Sequence, residues 1–178
     1  VFDDFDVDQA VNYAAFGAFI GAGQTCVCAS RHIVQASIYD EFVAKLQAKT
    51  KSIRIGDPFD PNTQLGPVIS ARQRDRVQSY LDLAIEEGGT FACGGGRPAD
   101  RDTGFFIEPT VIAGLDNSSR VAREEIFGPV LTVIAHDGDD DAVRIANDSP
   151  YGLSGTVFSA DPQRAAAVLD RLVAANRG

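Results

Sequence analysis

The sequence is poor in several residue types, and each shortage narrows the functions it can have. It contains no methionine, no tryptophan, three cysteines and two histidines. An odd number of cysteines, two of them one residue apart, makes a poor disulfide framework, so we expect a reducing, cytoplasmic setting. Because methionine is absent, we expect Val1 to be the cut end of a longer protein rather than its natural start.

Basic residues and long apolar runs are also scarce. The chain has 16 Lys and Arg against 25 Asp and Glu, for a net charge of −9. This balance argues against nucleic acid or an anionic membrane as a partner. No apolar run approaches the ~20 residues that a membrane-spanning helix needs. With 44% hydrophobic residues, residues 1–178 are expected to form one folded domain.

Four short polar signals predict where helices begin. A Ser or Asp followed by a polar residue three positions later, or directly by proline, is typical of a helix N-cap. Apolar residues at spacings of three and four follow each signal and predict one buried face per helix. The signals are Asp6 with Gln9, Ser37 with Asp40, Ser70 with Gln73, and Asp161 with Pro162. A short helix is also predicted near residues 141–146, and the last helix is expected to extend its apolar face to Val173.

Short apolar segments between these helices predict strands. They lie at residues 32–35, 91–93, 105–107, 111–112, 130–135 and 155–158. Strands that alternate with helices predict an α/β fold, in which a mostly parallel sheet carries helices on both faces. This pattern identifies a fold class but no function.

Residues 21–28, GAGQTCVC, carry the main chemical signal. Glycines at the end of the first helix permit left-handed backbone, and a thiol on such a turn can face a cleft. Neighbouring backbone N–H groups can then stabilise an oxyanion, and a cysteine thiolate forms near neutral pH with modest help. The same pattern also fits two small buried thiols or a redox pair, so the residues alone leave these alternatives open.

A metal site has weaker support. Cys26, Cys28 and His32 offer three candidate ligands, whereas Cys93 is distant in sequence and His136 is isolated. This spacing matches no structural zinc pattern. We therefore predict no metal site.

Four separated segments resemble motifs of the NAD(P)-dependent aldehyde dehydrogenase family. Residues 19–31, FIGAGQTCVCASR, resemble the signature with the core Gly-Gln-x-Cys. Residues 94–96, GGG, and 104–111, GFFIEPTV, resemble a glycine pair and a Gly-aromatic-aromatic-x-x-Pro-Thr strand. Residues 124–130, EEIFGPV, and 147–154, NDSPYGLS, resemble the Glu-x-Phe-Gly-Pro and Asn-x-x-x-Tyr-Gly-Leu segments. Because the segments follow the family's order, the resemblance is specific and covers essentially the whole chain.

The resemblance implies a role for each matching residue. Cys26 matches the nucleophile, which forms a thiohemiacetal with an aldehyde and then a thioester that water hydrolyses. Glu125 matches the carboxylate that binds the nicotinamide ribose, and Phe127 matches the aromatic residue beside the nicotinamide. Thr25 and Val27 are expected to shape the mouth of the aldehyde pocket.

The resemblance also implies a cofactor and partners. Gln73 and Arg76 match a helix that reaches toward the adenosine side of the cofactor, although a solvated helix face explains them equally well. The cofactor is expected to be NAD or NADP, and the substrate a small aldehyde. The family oligomerises, so a homo-oligomer is expected. The Cys-x-Cys arrangement resembles the succinate semialdehyde branch.

By the same resemblance, the chain is expected to be an incomplete catalytic domain. The sequence lacks the family's Rossmann cofactor domain, the Glu-Leu-Gly-Gly-Lys-type segment with the general base, and the closing strands of the catalytic sheet. We therefore expect the isolated chain to have little dehydrogenase activity. Two alternatives remain open: a cofactor-independent thiol esterase acting through Cys26, and a non-catalytic module that binds other subunits.

Overall fold

A four-stranded sheet organises the fold in the computed structural model, which describes residues 1–172. Its strands are β1 (Arg31–Gln35), β2 (Thr90–Cys93), β3 (Thr110–Ala113) and β4 (Val130–His136), and their spatial order is β1-β4-β3-β2. Strands β1 and β3 each pair parallel with β4, whereas β2 pairs antiparallel with β3. The predicted mostly parallel sheet is therefore confirmed.

Helices precede, connect and follow these strands, and three of their predicted starts are confirmed. The helices are α1 (Val7–Phe19), α2 (Tyr39–Lys51), α3 (Ala71–Glu86), α4 (Arg120–Arg123), α5 (Asp139–Asn147) and α6 (Pro162–Leu169). The side chains of Asp6, Ser70 and Asp161 accept hydrogen bonds from backbone N–H groups in the first turns of α1, α3 and α6. Within residues 1–172, no helix has both the length and the apolar character needed to cross a bilayer.

The two faces of the sheet are covered by different helices. Successive strand residues point to opposite faces. On one face, Val111 and Leu131 pack with apolar residues of α1 and α2. On the other face, Ile112 and Val130 pack with α3, and Ile134 packs with α4 and α5. Helices therefore lie on both faces, as the alternating pattern predicted.

Two of the predicted strands are not strands in the structure, namely residues 105–107 and 155–158. In the first segment, the carbonyl of Phe105 accepts from the N–H of Val68 at 3.0 Å, so its backbone pairs with a loop. In the second, the carbonyl of Phe158 accepts from the N–H of Phe2 at 3.0 Å, without forming a ladder. The apolar side chains that suggested strands still reach the core, where Ile107 packs with residues of α3 and Val157 with residues of α5 and α6, but their backbone joins no ladder.

The predicted cap at Ser37 is also wrong. Helix α2 begins at Tyr39, because residues 36–38 form a separate 3-10 turn. The hydroxyl of Ser37 therefore lies too far upstream to cap α2, and it donates to the carboxylate of Asp3 at 3.0 Å. Helix α4 was not predicted, since its four residues are too few to show a period. The predicted apolar residue Val173 lies outside the described residues.

Candidate active site

The loop between α1 and β1, called the cysteine loop here (residues 20–30), reverses direction through left-handed backbone. Gly21, Ala22 and Gly23 have φ angles of 59°, 57° and 69°. Glycine adopts this conformation freely, whereas an alanine is strained in it. The two glycines thus end the first helix as predicted, and the strained Ala22 between them is held in place by burial.

A tight turn then presents Cys26 at the surface. The N–H of Cys28 donates to the carbonyl of Thr25 at 2.9 Å, so Cys26 and Val27 occupy the two central positions of the turn. Both of these residues are exposed. The thiol of Cys28 is directed back into the loop, 3.7 Å from the carbonyl oxygen of Ile20. The turn therefore distinguishes two thiols that the sequence pattern could not separate.

The third thiol, that of Cys93, is unsuited to nucleophilic chemistry, and the described residues form no cluster of metal ligands. Cys93 is buried on β2, and burial raises the pKa of its thiol. A raised pKa disfavours the thiolate, which is the nucleophilic form. Across residues 1–172, no group of three or more His, Cys, Asp or Glu side chains is placed to hold a metal ion.

A second loop (residues 124–129, called the 124–129 loop) connects α4 to β4. Phe127 in this loop has a φ of 61°, the left-handed region that bulky residues rarely adopt. The residue is 37% exposed. Glu125 is also exposed, and within the described part of the chain its carboxylate has no hydrogen bond or ion pair. The loop thus offers an accessible ring and an accessible carboxylate.

The two loops touch through glycine backbone. A Cβ atom added to Gly23 would lie 2.0 Å from the carbonyl oxygen of Gly128, so only glycine fits at this position of the cysteine loop. A Cβ atom added to Gly128 would lie 2.3 Å from Cγ2 of Val77 on α3. The cysteine loop, the 124–129 loop and α3 are therefore stacked at van der Waals distance although they are far apart in sequence.

An open cavity of about 920 Å³ lies where these loops meet. Its volume is within the range that small-molecule ligands require. Five of the residues predicted from the sequence line it together: Thr25, Cys26, Val27, Glu125 and Phe127. Aromatic side chains complete part of its wall, namely Tyr13, Tyr151 and Phe158. The residues predicted for the nucleophile, the aldehyde pocket and the nicotinamide side are thus brought to one place.

Gln73 and Arg76 do not line this cavity. Gln73 Nε2 donates to the carbonyls of Phe127 at 2.7 Å and Ile126 at 3.2 Å. The guanidinium of Arg76 donates to the carbonyls of Glu125 at 2.5 Å and Ile126 at 3.3 Å. Both side chains therefore bind the backbone of the 124–129 loop.

Sequence reasoning gave no role to Gln24, which the structure shows bridging two segments. Its Oε1 accepts from the backbone N–H of Ile69 at 2.9 Å, and its Nε2 donates to the carbonyl of Gly21 at 3.3 Å. Gln24 thereby ties the cysteine loop to the segment that leads into α3. The sequence offered one signal for this bridging role, because Gln24 is an amide residue two positions before the candidate nucleophile.

Comparison with known proteins places these features in a family. The sequence matches the profile described as "Aldehyde dehydrogenase family" over residues 1–177. It is 45% identical over 176 residues to a betaine aldehyde dehydrogenase of Mesorhizobium japonicum, covering 98% of this chain and 36% of that protein. It is 47% identical to a betaine aldehyde dehydrogenase of Brucella ovis, with the same coverage. The chain therefore spans about a third of the length of these relatives.

Solved structures show the same relationship in three dimensions. A crystal structure of Staphylococcus aureus betaine aldehyde dehydrogenase in complex with NAD+ superposes with a TM-score of 0.95 at 46% identity, covering 97% of this chain and 35% of that one. An apo form of the same enzyme, a point mutant with a BME-modified cysteine, gives a TM-score of 0.94 at the same identity and coverage. The fold described above is thus that of the corresponding third of these proteins.

Proposed function

The chain belongs to the aldehyde dehydrogenase family, and from this premise we propose that it carries the catalytic cysteine of an enzyme that oxidises aldehydes to carboxylic acids. One observation carries the proposal. Cys26 is exposed at the centre of a turn and opens into a cavity that it shares with Glu125 and Phe127. A nucleophile, a free carboxylate and an accessible aromatic ring are the groups that this chemistry needs from the chain.

In the proposed reaction, the Cys26 thiolate attacks the carbonyl carbon of the aldehyde. A C–S bond forms, the carbonyl oxygen becomes an oxyanion, and the backbone N–H of Cys26 contributes to its stabilisation. When bound, the dinucleotide accepts a hydride from the resulting thiohemiacetal carbon. The thioester left on Cys26 is hydrolysed by water, which releases the carboxylic acid and restores the thiol.

The cofactor side of the cavity fits a nicotinamide riboside. The carboxylate of Glu125 is free to accept hydrogen bonds from ribose hydroxyls, and the ring of Phe127 offers an apolar face. The NAD+ complex of the Staphylococcus aureus relative supports NAD+ as the cofactor over NADP+. Gln73 and Arg76 serve the cofactor in this proposal through the 124–129 loop, whose backbone they bind.

The substrate that the cavity favours is a small cationic aldehyde. Betaine aldehyde, on which the named relatives act, carries a quaternary ammonium group, and such groups bind to aromatic faces. Tyr13 and Tyr151 provide exposed rings on the cavity wall. The net charge of −9 also favours a cation over the anionic succinate semialdehyde. Betaine aldehyde is therefore the first substrate to test.

A chimera tests the assignment of the nucleophile. In the Staphylococcus aureus enzyme, the matching segment is replaced by this chain, and NADH formation from betaine aldehyde is measured. Changing Cys26 to Ala should reduce the rate at least about 10⁴-fold, because no covalent intermediate can form. Changing Cys28 to Ala should leave most of the activity, since its thiol is directed into the loop.

Two outcomes would contradict this assignment. Retained turnover in the Cys26→Ala chimera would mean that the nucleophile lies elsewhere. An equal loss in the Cys28→Ala chimera would mean that the wrong thiol was chosen. In both cases, NADH binding to the variant serves as the control for correct folding.

The accessibility of Cys26 also supports a second function, a thiol esterase that needs no cofactor. The isolated chain then hydrolyses an activated ester such as p-nitrophenyl acetate, and iodoacetamide abolishes this activity. A chain that reacts with neither reagent would favour the third candidate, a module that acts by binding other subunits.

For the whole protein we propose a homo-oligomer in a reducing compartment.

A further inference from the structure

Phe127 holds a backbone conformation that an aromatic residue rarely keeps without support. Its φ of 61° lies in the left-handed region, where the side chain of an L-residue crowds the backbone. Such conformations persist when the surroundings over-determine them, and they cluster at functional sites. The contacts that hold Phe127 therefore belong to the candidate active site.

Those contacts come from one face of α3. Gln73 Nε2 carries two hydrogens, and two successive carbonyls accept from it, those of Ile126 and Phe127. Arg76, one helical turn further along, donates to the carbonyls of Glu125 and Ile126. Three consecutive carbonyls of the 124–129 loop are thus bound by two side chains at positions i and i+3 of the helix.

The Arg76 side chain is itself held in place. Its guanidinium lies 5.0 Å from the ring centroid of Tyr80 and donates to the Tyr80 hydroxyl at 3.3 Å. The same hydroxyl donates to the carboxylate of Glu124 at 2.8 Å. The first residue of the loop is therefore anchored to α3 as well, and the loop cannot shift as a unit without breaking several hydrogen bonds.

We infer that Gln73 and Arg76 are positioning residues, which act on the cofactor by holding Phe127 in its left-handed conformation rather than by touching the cofactor themselves. The amide N–H groups of Gln73, and Nε and one terminal nitrogen of Arg76, are already directed at the loop backbone and Tyr80, so a contact through these groups would have to break their hydrogen bonds. The role of Phe127 beside the nicotinamide rests on the proposed function, whereas the hydrogen bonds that hold its backbone do not.

The hydrogen bonds from Gln73 and Arg76 act on the 124–129 loop and not on the cysteine loop that carries the nucleophile. The cysteine loop meets this region at Gly128, which packs between Gly23 and Val77 without any polar group of Gln73 or Arg76. Loss of the Gln73 donor should therefore release Phe127 while Cys26 keeps its environment. This separation gives the inference a test that needs no enzymatic activity.

The test uses the absence of tryptophan from the chain. Phe127→Trp introduces a single tryptophan at the held position, and acrylamide quenching of its selectively excited fluorescence reports how freely its ring moves. In this background, Gln73→Met keeps the side-chain length but removes the donors. The matched control is Gln78→Met on the same helix, because Gln78 donates to Asp82 within α3. Alkylation of Cys26 by iodoacetamide, followed by mass spectrometry, reports on the cysteine loop.

We expect Gln73→Met to raise the quenching constant roughly twofold, as the ring gains mobility. Arg76→Met should act in the same direction, and Arg76→Lys should restore part of the effect because lysine can still donate. Gln78→Met should change neither readout, and the Cys26 alkylation rate should stay unchanged in every variant. Equal quenching in the Gln73→Met and Gln78→Met proteins would overturn the inference, as would a parallel change in Cys26 alkylation. An inactive chimera would refute the proposed function but would leave this measurement intact.

Discussion

His32 shows how burial changes the chemistry of a residue. Its ring lies on the inner side of β1, with a centroid 6.2 Å from that of Phe42. Its Nε2 lies 3.0 Å from the carbonyl oxygen of Ala29, so this nitrogen carries the proton and donates. Burial lowers the pKa of His32 from 6.5 to about 4. Near pH 6.5, where the unfolded chain begins to protonate His32, the folded protein therefore keeps the ring neutral.

This lowered pKa predicts a pH dependence of stability. Between about pH 6.5 and pH 4, the unfolded chain binds a proton at His32 that the folded chain does not, so the free energy of unfolding falls as the pH is lowered. Between pH 7.5 and pH 5, the free energy of unfolding of the wild type should fall by about 2 kcal/mol more than that of His32→Gln. Urea unfolding of the wild type and of His32→Gln at both pH values measures this. Parallel losses in the wild type and His32→Gln would contradict it.

At the scale of elements, α3 and the segment before it contact the two loops through different residues. The helix contacts the 124–129 loop through Gln73, Arg76 and Val77, and the segment before it meets the cysteine loop at Gln24. The start of α3 was predictable because Ser70 caps it locally. Its partners were not, since nothing in a helical pattern specifies which distant carbonyls its polar side chains will meet.

The packing of the two loops predicts different costs for two glycine substitutions. Gly23→Ala combines a left-handed φ of 69° with a Cβ that would lie 2.0 Å from the Gly128 oxygen. Strain and overpacking together should lower the free energy of unfolding by about 3–4 kcal/mol and change the Cys26 alkylation rate. Gly88→Ala is the matched control, because its φ is 86° but its Cβ would meet nothing within 4 Å. It should cost only about 1 kcal/mol. Equal costs in urea unfolding would show that backbone conformation alone matters.

At the scale of the whole molecule, the surface keeps an apolar face that the described residues leave uncovered. Phe16 and Ile20 lie one helical turn apart along the outer side of α1 and its end, and they are 68% and 45% exposed. Strand β2 forms one edge of the sheet, whereas the other edge, β1, is partly paired with the backbone of Val1. Contiguous apolar patches and open edges favour association in water.

We therefore predict that the 178-residue chain self-associates. The net charge of −9 opposes close approach, but salt screens it beyond about 8 Å at physiological ionic strength. Sedimentation velocity at several concentrations should show a sedimentation coefficient that rises with concentration. Phe16→Glu should reduce this rise, and Phe59→Glu, in a separate loop, should not. A strictly monomeric wild type would show that the α1 face and the β2 edge do not drive association.

What the sequence determined by itself is local or periodic. Helix starts depend on caps that act over three residues, the α/β class depends on alternating segments, and the Gly-Gln-x-Cys core carries its own chemistry. What only the tertiary structure decided depends on residues far apart in the chain. The hydrogen bond from Gln73 to Phe127 joins positions separated by 54 residues. The outward direction of Cys26 depends on a turn, and residues 105–107 remain a loop whose Phe105 carbonyl accepts from the N–H of Val68, another loop residue. A pattern encodes what a segment can form, and packing decides which partner it meets.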